Sequence, residues 1–201
     1  MWIDNFNLSK YSDDTISVIE ESITGEYHLV SGLSSYKIDR EFLFKETLKP
    51  LMIKIQECIN EYIRTHEAYE FDYASELEAS VISSSWFNIL GKGHKVDRHR
   101  HVESWDDREG SVVSGAYYPY VDEHSAPLIF TFPDGNTISM PCSSGSLVIF
   151  PSWLDHHTEE NETDKRITVS FNTVRKSVVL EKFPKSVEEA EKRLRENNDS
   201  S

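Results

Sequence analysis

The strongest constraint on the fold is a series of short apolar segments in the second half of the chain. Between residues 79 and 173 these segments are rich in branched and aromatic residues, and Gly, Pro, Asp and Asn separate them. Branched and aromatic side chains favour strands, whereas the separating residues favour turns. The pattern therefore predicts strands at residues 81–89, 112–120, 128–132, 137–140, 146–150 and 166–173.

These strands predict a mainly β architecture. Six to eight strands at roughly ten-residue spacing, with no helices between them, are typical of an antiparallel sandwich or barrel. Asp134-Gly135 lies between two of the segments and predicts a hairpin turn. We expect residues 79–175 to form the β core of a single domain that spans residues 1–201.

Helices are predicted on both sides of this core. Between residues 42 and 66, apolar side chains recur at steps of three and four, which is the stripe of an amphipathic helix. Pro50 lies near its beginning, where a missing N–H costs least. A Ser-x-x-Glu capping box at residues 186–189 opens a second helix. Residues 1–78 are thus expected to be helical or irregular and to pack on the sheet, and residues 176–201 to form a C-terminal helix with a frayed tail.

Charge, apolar run length and cysteine content disfavour several classes of protein. The chain has 21 Lys and Arg against 35 Asp and Glu, and a net charge of −14 repels phosphate backbones, so nucleic acid is a disfavoured partner. The apolar runs are too short to cross a bilayer, which needs about 20 residues. Two cysteines are too few for a disulfide framework. We expect a cytoplasmic protein without a membrane partner.

The spacing of the histidines predicts a metal site. His99 and His101 are two residues apart, so on a strand both imidazoles point to one face. His156, which follows the strand at 146–150, is the natural third ligand, and three protein ligands with open positions are typical of catalytic metal sites. Two His and a carboxylate are the usual ligands of non-haem iron, and Glu103 lies two residues after His101. The sets His99/His101/His156 and His101/Glu103/His156 both stay open.

A second constraint lies ten residues beyond the last of these histidines. Arg166 and Thr168 alternate along a predicted strand, so the guanidinium and the hydroxyl face the same side. Arginine binds a carboxylate through two parallel hydrogen bonds, and threonine adds one more donor. The pair predicts a carboxylate clamp.

Five motifs in this part of the chain resemble the 2-oxoglutarate/Fe(II)-dependent dioxygenases, and more narrowly the compact branch common in bacteria and phages. They are SSWFNI (84–89), HRH followed by SW (99–105), VSGAYY (113–118), GSLVIFPSWLDH (145–156) and RITVSFN (166–172). They occur in the family order and at near-family spacing over about ninety residues. The resemblance implies a double-stranded β-helix, the jelly-roll fold of cupins, with flanking N- and C-terminal helices.

The resemblance also implies site residues. The implied Fe(II) ligands, which are also the catalytic residues, are His99, His101 and His156, with Glu103 as the alternative carboxylate ligand. The residues implied to bind 2-oxoglutarate are Arg166, Thr168, Asn88, Tyr118 and Tyr117. Because the two tyrosines are adjacent on a strand and point to opposite faces, one of them is expected to belong to the core or the surface.

The implied activity couples oxidative decarboxylation of 2-oxoglutarate, with dioxygen, to hydroxylation or a related C–H oxidation of an unidentified substrate. Two alternatives stay open: a cupin-like protein that binds a metal or a small acid without catalysis, and a three-His dioxygenase that does not use 2-oxoglutarate. The broad superfamily has His-x-Asp/Glu in the first motif, whereas the compact branch has His-x-His, as here. The acidic sequence DDREG at residues 106–110 is inserted before VSGAYY and suggests contact with a cationic substrate.

Overall fold

The structure is a computed structural model, and it describes residues 3–23, 33–67, 80–101, 111–175 and 178. The helices in this part of the chain are α1 (Ser12–Ser22) and α2 (Lys49–Glu67). The strands are β1 (Asp4–Asn7), β2 (Leu33–Ser34), β3 (Ser80–Leu90), β4 (Val113–Val121), β5 (Leu128–Thr131), β6 (Thr137–Met140), β7 (Ser146–Pro151), β8 (Asp155–Thr158) and β9 (Arg166–Arg175).

The strands form two sheets with antiparallel pairing throughout. The larger sheet has the order β1-β7-β4-β9-β3-β2, and the smaller has the order β6-β5-β8. The predicted mainly β architecture is confirmed. The hairpin between β5 and β6 turns at Asp134-Gly135, as predicted. Glycine is favoured at this turn because residue 135 has a φ of 85°, which a residue with a side chain would adopt only with strain.

Alternation along β9 divides the larger sheet into an apolar face and a polar face. Ile167, Val169 and Phe171 belong to the apolar core that α1 and α2 cover. Arg166, Thr168, Ser170 and Asn172 point to the opposite face, because successive side chains of a strand alternate. This polar face lies opposite the smaller sheet and lines a cavity.

A second apolar core closes the other end of the space between the sheets. Val148 and Phe150 of β7 pack there with Phe130 of β5 and with Leu154. β7 is buried along its whole length, because its alternate residues enter the helix-covered core. The cavity is therefore bounded by well-packed apolar side chains rather than by loops alone.

Differences from the predicted elements concern the segments with the weakest periodicity. α2 begins at Lys49, so Pro50 lies near the start of the helix as predicted. α1, β1, β2 and β8 were not predicted, because the first three are short elements without a clear period and β8 has the polar sequence DHHT. β1 and β2 form the edges of the larger sheet, so part of the segment expected to be helical or irregular belongs to the sheet itself. Most of the C-terminal helix predicted at residues 176–201 lies outside the described residues, so that prediction stands untested, as does the division into a single domain.

Gly115 in β4 gives a test of this packing. A Cβ at residue 115 would collide with the ring of Phe171 and lie 3.0 Å from the Val148 carbonyl oxygen. We expect Gly115→Ala to lower the free energy of unfolding by about 2 kcal/mol, because overpacking forces neighbouring groups apart. Urea denaturation measures the change. Gly91→Ala is the matched control, since its Cβ meets no atom closer than 3.4 Å; equal stability of the two variants would contradict the prediction.

Candidate active site

Backbone pairing brings the first and last predicted iron ligands together. The His99 N–H donates to the His156 carbonyl oxygen (3.0 Å), and the His156 N–H donates to that of His99 (2.9 Å). The N–H of His101 donates to the Ser152 carbonyl oxygen (2.9 Å). The chain at residues 99–101 is therefore held alongside β8 by main-chain bonds, which place all three imidazoles at one point.

The three imidazoles fit a metal ion. One ring nitrogen from each of His99, His101 and His156 lies within 4.8 Å of the others. The Nε2 atoms of His99 and His101 are 3.2 Å apart. Two nitrogens bound at about 2.1 Å to adjacent positions of one ion lie about 3 Å apart, so the observed separation matches a shared metal.

Hydrogen bonds at the opposite ring nitrogens orient two of these imidazoles. Nδ1 of His99 lies 2.8 Å from the carbonyl oxygen of Asp97, and Nδ1 of His156 lies 2.9 Å from that of Leu154. A carbonyl oxygen only accepts, so each Nδ1 must be the donor, and the Nε2 lone pair of the neutral ring is then available to a metal.

The third imidazole is oriented by a buried hydroxyl network. Nδ1 of His101 lies 2.7 Å from Oγ of Ser114. That hydroxyl donates to Oδ1 of Asn172 on β9 (2.8 Å) and lies 2.7 Å from Oγ of Ser152. The network links His101 to strands β4 and β9, so its ring cannot rotate without breaking buried hydrogen bonds.

Burial keeps two of the imidazoles uncharged. It lowers the pKa of His101 to about 3, with further lowering from His156 and His99. It also lowers the pKa of His156 to about 4, and the charge of His99 adds to the shift. Both rings are neutral near pH 7, which is the form that binds a metal.

The predicted carboxylate clamp lies in the same cavity. Arg166 is 2% exposed, and its Nη1 donates to Oγ1 of Thr168 (3.1 Å). Its Nη2 lies 3.4 Å from Oη of Tyr118 and 3.5 Å from Sγ of Cys142. Its Nε is buried without a hydrogen-bond partner. No carboxylate among the described residues lies within ion-pair distance of Arg166, so a buried charge and a buried donor are both available to a ligand.

Tyr118 adds a neutral donor to the clamp. Burial raises the pKa of its hydroxyl well above the usual value for tyrosine, with Cys142 adding to the effect and Arg166 opposing it. The pairing of β4 with β9 is irregular between Tyr117 and Tyr120, where Pro119 has no N–H to donate. This irregularity lies beside Thr168, and the protonated Tyr118 hydroxyl can donate to an anion bound there.

A cavity of about 780 Å³ joins the clamp and the histidine cluster. Asn88, on the strand next to β9, lines the cavity and donates to Oγ of Ser170 (3.4 Å).

Tyr117 lies on the other face of the sheet, in the helix-covered core, where its hydroxyl donates to the Leu8 carbonyl oxygen (3.2 Å). Among the predicted site residues that the structure describes, all except Tyr117 lie together around this cavity. Glu103 and the acidic segment 106–110 lie outside the described residues.

Several cavity residues were missed by sequence reasoning. Ser114 and Asn172 lie on the cavity face of predicted strands, so alternation from Tyr118 and Arg166 would have found them. Trp86 of the SSWFNI motif lines the cavity, with its ring centroid 6.1 Å from that of His101. Tyr36 and Arg40 also line the cavity, and no local pattern in the first forty residues marks them.

Part of the chain is similar to a known family. Residues 129–172, which include His156 and Arg166, match a family model described as "Putative 2OG-Fe(II) oxygenase". No curated relative matches the chain. None of the described helices is long and apolar enough to cross a membrane.

Solved structures share the fold at low sequence identity. A viral collagen prolyl hydroxylase from Paramecium Bursaria Chlorella virus-1, in its 2OG complex, is 10% identical with a TM-score of 0.60, over 87% of this chain and 96% of that one. A prolyl-4-hydroxylase from Pseudomonas putida is 14% identical with a TM-score of 0.55, over 87% and 93%. The α-ketoglutarate-dependent carbocyclase SnoK of nogalamycin biosynthesis is 10% identical with a TM-score of 0.62, over 87% and 79%.

The fold is that of the 2-oxoglutarate/Fe(II)-dependent oxygenases, and residues 129–172 match a family model of this class. The predicted double-stranded β-helix and the predicted resemblance to this superfamily are confirmed. Fe(II) and 2-oxoglutarate are the cofactors of the class, and the three-histidine cluster fits the metal.

The hydroxyl network of Ser114 gives a test of the metal centre. We expect Ser114→Ala to weaken Mn(II) binding by about tenfold or more, because His101 loses the hydrogen bond that orients its ring. Electron paramagnetic resonance titration of Mn(II) measures the affinity, and circular dichroism checks the fold. Ser139→Ala, at an exposed position of β6 outside the cavity lining, is the control and should bind Mn(II) as the parent protein does. Unchanged Mn(II) affinity of Ser114→Ala would show that the network does not support the ligand.

Proposed function

We propose that this protein is a non-haem iron oxygenase that couples oxidative decarboxylation of 2-oxoglutarate to hydroxylation, or a related C–H oxidation, of a second substrate. The observation that carries the proposal is the pairing of two features in one cavity. Three imidazoles converge within 4.8 Å, and the buried Arg166 has neutral neighbours and a free Nε donor. Metal binding alone would not require an uncompensated guanidinium beside the ligands.

His99, His101 and His156 would hold the iron through Nε2. Their Nδ1 atoms are held by two carbonyl oxygens and one hydroxyl, so the rings are oriented before the metal arrives. Bound iron(II) and 2-oxoglutarate would supply the oxidising chemistry with dioxygen as the oxidant: one oxygen atom would enter succinate as carbon dioxide leaves, and the other would oxidise a substrate C–H bond.

Arg166 would bind the carboxylate of 2-oxoglutarate that lies away from the metal. Its guanidinium stays charged at any physiological pH and offers a planar fork of donors, so it sets both the affinity and the orientation of a diacid. Thr168 and Tyr118 would donate from either side. Asn88 would line the co-substrate pocket from β3.

The cavity walls would keep water from the reacting groups. Phe150 of β7 lies with its ring centroid 4.8 Å from that of His156, and Leu128 of β5 lines the same space. Apolar walls strengthen the electrostatic interactions within the cavity and limit side reactions with water.

For the cellular setting we propose the cytoplasm, with 2-oxoglutarate and dioxygen as partners and nucleic acid disfavoured by the net charge of −14.

An anaerobic titration tests the proposal directly. Addition of Fe(II) and 2-oxoglutarate to the protein should produce the weak visible charge-transfer band of a chelated 2-oxo acid, and admission of dioxygen should yield succinate. A metal-binding protein without this activity would give no succinate. A three-His dioxygenase that does not use 2-oxoglutarate would consume dioxygen with no dependence on that acid. Either result would reject the proposal.

Two substitutions should separate the metal site from the clamp. His156→Ala removes one of three ligands, so we expect loss of Fe(II) binding and of succinate formation. Arg166→Ala should raise the KM for 2-oxoglutarate by tenfold or more, since hydrogen bonds to a charged partner are lost, while Mn(II) affinity stays within about twofold. Arg64→Ala, on the exposed side of α2, is the control. Equal loss of metal in both site variants would contradict this division.

The adjacent tyrosines provide a matched pair of variants. Tyr118→Phe removes a hydroxyl that faces Arg166, so we expect the KM for 2-oxoglutarate to rise by about threefold to tenfold. Tyr117→Phe removes a hydroxyl from the opposite core and should lower stability without changing that KM. Steady-state succinate formation against 2-oxoglutarate concentration measures both. A KM change in Tyr117→Phe alone would reverse the assignment.

A further inference from the structure

The cavity has more positive charge than the binding of 2-oxoglutarate requires. Although the chain carries 35 acidic residues against 21 basic ones, the described residues that line the cavity include four arginines and a single acid, Asp97. Arg166 lies at the clamp, and the other three line the remaining wall. A cavity of about 780 Å³ is within the range of complete ligand sites and leaves room for a second molecule beside a five-carbon diacid.

Two of these three arginines already have a counter-charge. Arg98 binds Asp155 through Nη2 (2.7 Å) and Nε (3.2 Å) to the same carboxylate oxygen. Arg100 lies 4.0 Å from the other oxygen of Asp155. Asp97 is 3.6 Å from Lys95. Arg98, Arg100 and Lys95 thus face two carboxylates, and each of the three cations lies within ion-pair distance of one of them.

Arg40 has no such partner. Among the described residues, no carboxylate lies within ion-pair distance of its guanidinium, which stacks over the Tyr36 ring at 4.6 Å from the centroid. The neighbouring Asp39 instead binds Lys45 (3.2 Å). A planar guanidinium on an aromatic face keeps its donor edges available, and this arrangement suits a carboxylate or a phosphate.

The segment that carries Arg40 is fixed on the sheet. The fully buried Ser35 accepts a hydrogen bond from the Phe87 N–H at its Oγ (3.0 Å), and its own N–H donates to the Phe87 carbonyl oxygen (3.0 Å). The N–H of Ser85 donates to the Arg40 carbonyl oxygen (2.7 Å). Arg40 therefore projects from backbone that is bound at two points to β3, which makes its position part of the built site.

A series of aromatic contacts connects Arg40 to the histidine cluster. The Tyr36 ring lies edge-on to Trp86 with centroids 4.9 Å apart, and the Trp86 ring is 6.1 Å from that of His101. Together these rings form an aromatic wall from the cavity mouth to the metal ligands. A substrate lying along this wall would present its charged end to Arg40 and an inner C–H bond to the histidine cluster.

From this arrangement we propose that the substrate of the oxygenase carries an anionic group, a carboxylate or a phosphate, which Arg40 binds at the cavity mouth while the body of the substrate packs on Tyr36 and Trp86. This inference rests on the proposed function for the reaction, but the anion site itself depends only on the residues of the mouth. It differs from the cationic substrate suggested by residues 106–110, and the two ideas predict opposite charge preferences.

Four naphthyl probes that differ in charge test the inference. Naphthyl phosphate and naphthoate are anionic, naphthol is neutral and naphthylmethylammonium is cationic. Each is titrated by calorimetry into anaerobic protein loaded with Fe(II) and saturating 2-oxoglutarate, which blocks the Arg166 clamp. We expect at least one anionic probe to bind roughly tenfold more tightly than the neutral and cationic probes. The ratio of phosphate to carboxylate affinity identifies which anion the site prefers.

Matched variants locate the effect. Arg40→Gln should remove the anion preference, whereas Lys37→Gln, which deletes the same charge from the same exposed segment outside the cavity lining, should retain it. Equal binding of all probes, tighter binding of the cation, or an unchanged preference in Arg40→Gln would overturn the inference.

The visible 2-oxoglutarate band is recorded in the same samples. An absent band with a retained anion preference would reject the oxygenase proposal and leave the anion site, whereas a normal band without the preference would reject the anion site alone.

Discussion

The buried charge of Arg166 is the interaction on which the site depends. Its guanidinium is 2% exposed, and the groups near it, Thr168, Tyr118 and Cys142, are neutral. Removal of such a charge from water costs several kcal/mol unless a counter-charge compensates it. A bound carboxylate would supply that compensation, so the folded protein has a strong electrostatic preference for an acid in this pocket. The same argument explains why Tyr118 must stay protonated: an ionised phenol would compete with the ligand.

Strand β9 makes this arrangement possible because it serves two environments. One face contributes Ile167, Val169 and Phe171 to the helix-covered core, and the burial of these side chains stabilises the strand. The other face carries Arg166 and, six residues along, Asn172, whose amide oxygen accepts from the serine that orients a metal-binding imidazole. Arg166 and the hydrogen bonds that orient His101 thus depend on one strand, and a strand fixes the separation of two groups better than loops could.

Charge is distributed unevenly between the surface and the cavity. The net charge of −14 would repel small anions at long range, yet arginines line the cavity and their field acts at close range, where solvent screens it least. Arg166 lies at the inner end, next to the buried strands, and Arg40 lies at the mouth on a stacked tyrosine. The two ends differ in burial, and so they suit the two roles proposed for them: binding of 2-oxoglutarate inside and selection of an anionic substrate outside.

Local sequence determined the features that depend on periodicity. Alternation marked the central strands, the two-residue spacing placed His99 beside His101, and Arg166 and Thr168 were assigned to one face because side chains on a strand repeat every second residue. Tertiary structure alone decided which of two adjacent tyrosines enters the cavity, because that depends on which face of the sheet the helices cover. It likewise brought Arg40 to the mouth through pairing of a short, aperiodic segment with β3. Contacts between residues far apart in sequence leave no local period, so only the folded chain reveals them.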